Sequence, residues 1–381
     1  MPEDSLRPRK IVAMVLAGGR VGELSVLTLA RPKAAMPFGG HYRIIDFPLS
    51  NLMHAGIAHV GILSQYRPAS LIDHVRVGES WDFVGLERGA KILPPFRGAE
   101  ASDWYRGNAD AIYRNLNYIR DHGAEQVVIL SGDHIYRMDL RAMLDFHDEH
   151  DADLTVAFKR MGPNVSQRFG YGEIAPDGRL VSYEEKPPAP RTDLASLTIY
   201  VAEVGPLSRA LEACVGLESY EFGRDVIPQM LARDRVFGYE FDGYWAYART
   251  IDSYYEAMQD LILGRIDIDE WGVRTNLADS GVANVPPTRI DAGAAVRNSL
   301  ISPGCVIEGT VRGSVLSPGV RIGRGAIVDG SAVFNRSVIE PGASVERSIL
   351  DKDVLVGERS RVGGPPLVGA EPVAGRPSSL G

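Results

Sequence analysis

From Ile290 onward the chain drops its helical period, and branched aliphatics recur at short intervals beside Gly, Pro-Gly or Asn, as in SLISPGCVIEGTVRGSVLSPGVRIGRGAIVDG. Steps of six join Leu316, Ile322 and Val328, then Val333, Ile339 and Val345, then Val356 and Val362. This period constrains the fold more than any other feature of the sequence. Aliphatics at that spacing stack inward in a parallel β-helix while Gly and Asn turn its corners. An ordinary antiparallel β-domain is the competing reading, and the register drifts around Val306 and Leu350.

The preceding two-thirds read differently. Short β-rich runs at 11–16, 59–64, 126–130 and 153–158 alternate with helical spacing at 48–58, 109–122 and 140–149, the signature of an α/β fold with a mostly parallel sheet. In such sheets ligands bind beyond the carboxyl ends of the strands, which points to the loops after Leu16, Ser64 and Leu130. A further helix is expected at 254–263, then a connector carrying packed residues such as Trp271. The expected division is a first domain at 1–265, a linker at 266–288, a β-helix at 289–364 and a flexible Pro-, Gly- and Ser-rich tail at 365–381.

Composition excludes several function classes. A 45% apolar share with 15 Tyr, 11 Phe and 4 Trp is incompatible with a disordered chain, and 381 residues are enough for two or three domains. Forty-one Lys and Arg against 49 Asp and Glu, a net charge of −8, argue against a general nucleic-acid binder. Cys214 and Cys305 have no CxxC partner, so neither a disulfide framework nor a zinc site is expected, and a reducing cytoplasm is. The polar start MPEDSLRPRK leads into an apolar run too short for export or membrane insertion.

LAGGR follows the first strand directly. Its two glycines allow a tight turn and close backbone approach to a phosphate or base, though the same turn occurs without a ligand. It is neither a Walker loop nor a GxGxxG fingerprint. Lys33, in RPKAAMPFGG, is a natural counter-charge for phosphate or else a surface lysine. What separates these alternatives is the order of motifs: LAGGR, RPKAAMPFGGHYRIIDFPLSN, SQYR, DWYRGNADA, LSGDHIY, RFGYGEI, YEEKPP, LASLTIY and EFGRDVIP. Over about residues 10 to 364 this series resembles the ADP-glucose pyrophosphorylase (glucose-1-phosphate adenylyltransferase) family of sugar-phosphate nucleotidylyltransferases.

The resemblance implies a Rossmann-like nucleotidyltransferase domain followed by a left-handed parallel β-helix. The implied reaction is transfer of adenylate from ATP to glucose 1-phosphate, giving ADP-glucose and pyrophosphate for glycogen synthesis. It also implies Mg²⁺, a homotetramer or a hetero-oligomer with a homologous subunit, and a sugar-phosphate effector. Leu16, Ala17, Gly18, Gly19, Gln65 and Gly132 match nucleotide-side positions, and Tyr105, Gly170, Glu185, Lys186 and Ser196 match the sugar-phosphate side. Lys33 and Asp133 match catalytic positions, with Asp133 as a metal ligand. Near the FGG loop, His41 stands where effector-binding relatives often carry lysine, and Arg43 is retained.

Two departures stand out. Glu23 replaces the family arginine that grips the triphosphate, and in GYWAYART Ala246 and Tyr247 replace an arginine and the second metal-binding aspartate. Arg20 and Arg249 are candidates for the missing cation, and Glu23 is a candidate metal ligand. The departures leave open a catalytically weak or silent regulatory subunit, and the base preference is equally open to other nucleotides. An acetyltransferase built on the β-helix is disfavoured, because all eight histidines lie at or before His150.

Overall fold

Four parallel strands form the centre of the first unit: β1 (Ile11–Leu16), β2 (His59–Leu63), β3 (Arg88–Leu93) and β4 (Gln126–Ser131), in the order β4–β1–β2–β3. The structure is a computed structural model describing residues 9–19, 21–96, 104–163, 165–217, 220–279 and 281–364. Arg20 and the expected flexible tail lie outside the described residues. The chain divides into two compact units at Ala283 and Asn284.

Leu16 lies in register with both Leu63 and Ser131, so β1, β2 and β4 end at one edge. Their residues alternate between two cores: Val12, Met14, Val127 and Ile129 face one, and Ala13, Val15, Val128 and Leu130 the other. A sheet buried on both faces reads as continuous apolar runs, which is why these strands were legible. Helices α1 (Asp46–Ala55) and α2 (Leu140–Glu149) cover the second face through Leu49, Leu52, Met143 and Leu144.

On the flank, β5 (Leu154–Arg160), β6 (Gly170–Ile174), β7 (Leu180–Glu185), β8 (Leu194–Glu203) and β9 (Val236–Glu240) continue the sheet. Here β8 runs antiparallel to β4, β5 and β6, and only β9 restores a parallel pair, with β5. The register shifts between Ser196 and Tyr200, where Thr198 has φ 56°, so β8 bulges just beside the cleft.

Two helix boundaries differ from the sequence reading. The helix expected at 48–58 starts at Asp46 and stops at Ala55, where Gly56 takes φ 76° and closes the last turn. The stretch 109–122 is two helices, Asn108–Arg114 and Leu116–Asp121. Asn115 breaks it, its Nδ2 donating to Ala111 O and to the Tyr105 hydroxyl. The described residues between 266 and 283 belong to the first unit: the Trp271 ring meets Phe47 and Tyr244, and Asn276 Nδ2 donates to His74 O. Among the described residues no helix is long and apolar enough to cross a membrane.

The second unit is a parallel β-helix with three ladders of short strands. Inward residues advance by six, six and then five along Leu316, Ile322, Val328 and Val333, and again along Ile339, Val345 and Leu350, all in one core. The five-residue step accounts for the drift at Leu350. The drift at Val306 is a shorter coil, since Val306 pairs with Arg321 whereas Arg321 pairs with Val338. A serine occupies each short corner. The N–H groups of Ser314, Ser331 and Ser348 donate to the hydroxyls of Ser299, Ser314 and Ser331 respectively. Each serine hydroxyl donates in turn to the carbonyl two residues before it.

Candidate active site

The loops that leave β1, β2 and β4 at their common edge form one wall of a cavity of about 460 Å³, and β6, β7 and β8 form the other. The first wall carries Leu16, Gly18, Gly19, Gln65 and Asp133, and the second Gly170, Glu185, Lys186 and Ser196. Tyr105 lines it between them. Ala17, Gly132 and Lys33 are not on the surface of the cavity.

Packing requires glycine at positions 18 and 132, whereas a Cβ on Gly19 would meet nothing within 4 Å. A Cβ on Gly18 would lie 3.0 Å from Gln65 N, so the two loops approach closely only with glycine there. Gly132 is packed rather than exposed, and a Cβ would meet Ile45, Val15 and Ala17. Gln65 Oε1 accepts from Tyr105 N at 2.7 Å, so its amide Nε2 is the group not used by this bond. Tyr105 donates its hydroxyl to Leu93 O, which makes it a brace between loops as well as a wall residue.

On the second wall, a Cβ on Gly170 would collide with the Tyr183 hydroxyl. That hydroxyl donates to Glu185 Oε2 at 3.0 Å, and Lys186 Nζ lies 3.1 Å from Glu185 Oε1. Lys186 itself takes φ 48°, and its N–H donates to Phe169 O, so a non-glycine residue is held in the left-handed region at the wall. Ser196 Oγ is buried beside the Tyr183 and Tyr200 hydroxyls without a well-formed hydrogen bond. Asn108, Glu221 and Gly223 also line the cavity. The motifs DWYRGNADA and EFGRDVIP contained them, but no single residue type there pointed to a role.

A short antiparallel pair, Ile135–Tyr136 with Trp245–Ala246, brings Tyr247 and Arg249 beside Asp133. Lys33 Nζ lies 3.3 Å from Asp133 Oδ2 and 4.3 Å from the centroid of the Tyr247 ring, with its side chain 1% exposed. Asp133 Oδ1 accepts from Ser131 Oγ at 2.6 Å. Burial alone would raise the Asp133 carboxyl, but Lys33 and the Ser131 hydroxyl outweigh it and hold the group at about 2. Burial lowers Lys33 from its ordinary range against the pull of Asp133. Burial also takes His134 down to about 4. Its Nδ1 accepts from Trp245 Nε1, as a neutral ring can.

Two of the replaced residues, Glu23 and Tyr247, are joined through Arg249 in a second cluster. Arg249 Nη1 donates to the Tyr247 hydroxyl at 2.6 Å, and its Nε lies 3.5 Å from Glu23 Oε1. The same Glu23 oxygen accepts from Arg168 Nη1 at 2.9 Å. Burial and the nearby Asp133 charge raise the Tyr247 phenol, so it stays protonated and makes a poor divalent-metal ligand. Among the described residues no group of three or more His, Cys, Asp or Glu side chains is placed to hold a metal ion. Asp133 is an ionised carboxylate on the cavity wall, so the donor set fits a Mg²⁺ ion completed by water and phosphate oxygens rather than a cage made by protein alone. Near the FGG loop, Arg43 is engaged by Asp279 and Ser70 O, and His41 stacks on Tyr42.

Comparison with known proteins agrees with this arrangement. Residues 12–263 match the nucleotidyl transferase family model, and residues 284–369 match the GlmU-like C-terminal hexapeptide model. A glucose-1-phosphate adenylyltransferase of Desulforamulus reducens is 38% identical over 365 residues, covering 94% of this chain and 90% of that relative. One of Bacillus cereus is 41% identical over 355 residues, covering 91% and 93%. The chain belongs to the glucose-1-phosphate adenylyltransferase family of nucleotidyl transferases.

Proposed function

We propose that the cleft transfers the adenylyl group of ATP to glucose 1-phosphate, giving ADP-glucose and pyrophosphate for glycogen (α-glucan) synthesis. One observation carries the reading. A glycine loop at the ends of parallel strands faces Glu185, Lys186 and Ser196 across one cavity, in a chain aligned with glucose-1-phosphate adenylyltransferases over about nine-tenths of their length.

In this reading a phosphate oxygen of glucose 1-phosphate attacks the α-phosphorus of ATP in line. The new P–O bond forms as the bond to the β-phosphate oxygen breaks, and pyrophosphate leaves with the electron pair. No covalent enzyme intermediate is required, so the protein contributes positioning and charge. Backbone at Leu16 to Gly19 and Gln65 Nε2 receive the nucleotide, with Ala17 and Gly132 fixing the loop from behind. Lys186 pairs with the sugar phosphate, Glu185 and Ser196 take sugar hydroxyls, and Gly170 and Tyr105 shape their wall. Lys33 acts through Asp133, holding it ionised. A Mg²⁺ ion held by Asp133 and substrate phosphates supplies charge neutralisation when bound.

The remaining parts of the proposal are a homotetramer or a hetero-oligomer with a homologous subunit, a sugar-phosphate effector and a cytoplasmic location. Two buried free cysteines, Cys214 and Cys305, support the last. A second reading, a catalytically weak or silent subunit that binds the same ligands, is favoured by the closure of Lys33 beneath Tyr247.

Steady-state kinetics test the assignment of the two walls. Lys186→Ala is expected to raise KM for glucose 1-phosphate about 10- to 100-fold with little change in KM for ATP. Asp133→Asn is expected to lower kcat by about 100-fold or more. A Lys186 variant that alters only the ATP dependence contradicts the assignment.

A further inference from the structure

We infer that Arg249 and Arg168 are the side chains that grip the triphosphate in this cleft, and that Glu23 is an internal anion that holds them until nucleotide displaces it. The inference rests on the proposal that the cleft takes ATP.

Lys33, the cation expected from sequence, is shut between Asp133 and the Tyr247 ring and does not reach the wall. Arg249 and Arg168 do reach it, on a cavity that also exposes Gly18, Gly19 and Asp133. Both converge on the single oxygen Glu23 Oε1, as two guanidinium groups would on a phosphate oxygen.

Arg249 is also held in place from behind. Its Nη1 is fixed by the Tyr247 hydroxyl. Its backbone directly precedes Thr250, which caps helix α3 (Ile251–Ile262) in a reciprocal pair with Ser253. The guanidinium is therefore presented from the start of a capped helix, a firmer base than a loop.

The clasp itself is weak. Side-chain exposures of 41% for Glu23, 44% for Arg168 and 36% for Arg249 leave the three partly solvated, and such pairs contribute little. A triphosphate brings several charges to the same two guanidinium groups and outcompetes one carboxylate. The departure at position 23 thus has a cation beside it. The anion at position 23 and the cation at position 249 meet each other, so the departure at the loop is answered by a cation from the start of a different element. Glu23 directs its ion pairs to arginines, which assigns it a gating part rather than the metal-ligand part considered from sequence.

The test is isothermal titration calorimetry of the full chain with ATP and, separately, AMP, in EDTA so that no divalent ion contributes. Arg249→Ala and Arg168→Ala are each expected to weaken ATP about tenfold or more while changing AMP less than about twofold, and Arg249→Lys to fall between. Glu23→Gln is expected to tighten ATP several-fold and to leave AMP unchanged. If ATP and AMP weaken equally in the arginine variants, or if Glu23→Gln weakens ATP, the inference is overturned while the adenylyltransferase reading stands. If the wild-type chain binds neither nucleotide, in EDTA or with Mg²⁺, both fall together. Equal circular dichroism and melting temperature of Arg249→Lys and wild type guard against misfolding as the cause.

Discussion

At the scale of single residues, Asp133 and His134 carry opposite consequences of the same burial. Asp133 remains charged despite its burial because Lys33 faces it and Ser131 donates to it, whereas His134 is kept neutral down to about pH 4. A histidine whose folded value lies below its ordinary 6.5 contributes stability that is complete above pH 6.5. As pH falls from 6.5 toward 4, the unfolded chain takes up a proton that the folded chain refuses, and stability declines by on the order of 2–3 kcal/mol. Asp133 continues the decline from its ordinary 3.8 toward 2. Urea denaturation across this range is expected to show a shallower pH slope between 6.5 and 4 in His134→Gln, which keeps an acceptor for Trp245. An unchanged slope contradicts the neutral, buried assignment. The motif order that carried the family resemblance singled out Asp133, Gln65 and Lys186, and all three line one cavity. The burial of Lys33 beneath Tyr247 was not legible, because it depends on a strand pair that joins residues more than a hundred positions apart.

At the scale of elements, the two units of the chain differed in legibility. The central strands announced themselves because both faces are buried, so composition alone marked them. The β-helix announced its period but hid its short corner. The five-residue step works because serine side chains carry hydrogen bonds from one coil to the next. Ser331→Ala leaves the N–H of Ser348 without its acceptor and removes the donor to Asp329 O, an expected loss of about 1–3 kcal/mol in thermal or urea unfolding. Ser299→Ala, at the more exposed first corner, is expected to lose less. Equal losses, or none at Ser331, contradict a load carried by the ladder. The split of 109–122 into two helices was equally hidden, since Asn115 reads as a tolerable helix residue until its side chain finds Ala111 O and Tyr105.

At the scale of the whole molecule, every described residue lining the cleft lies between Leu16 and Arg249, within the first unit. The chemistry proposed for the chain is therefore a property of one α/β unit whose parallel centre ends where the glycine loop begins. Where the family resemblance implies a loop arginine and a second carboxylate, this unit has Glu23 and Tyr247, which form one connected group with Arg249, Lys33 and Asp133. The most direct measurement is phosphorus NMR of the purified full chain incubated with ATP, glucose 1-phosphate and Mg²⁺, beside an Asp133→Ala control. The account predicts ADP-glucose and pyrophosphate appearing in equal amounts with the wild type and no product with the control. Absence of ADP-glucose from the wild type, under conditions where calorimetry shows both substrates bound, contradicts it and makes the chain a ligand-binding subunit without turnover.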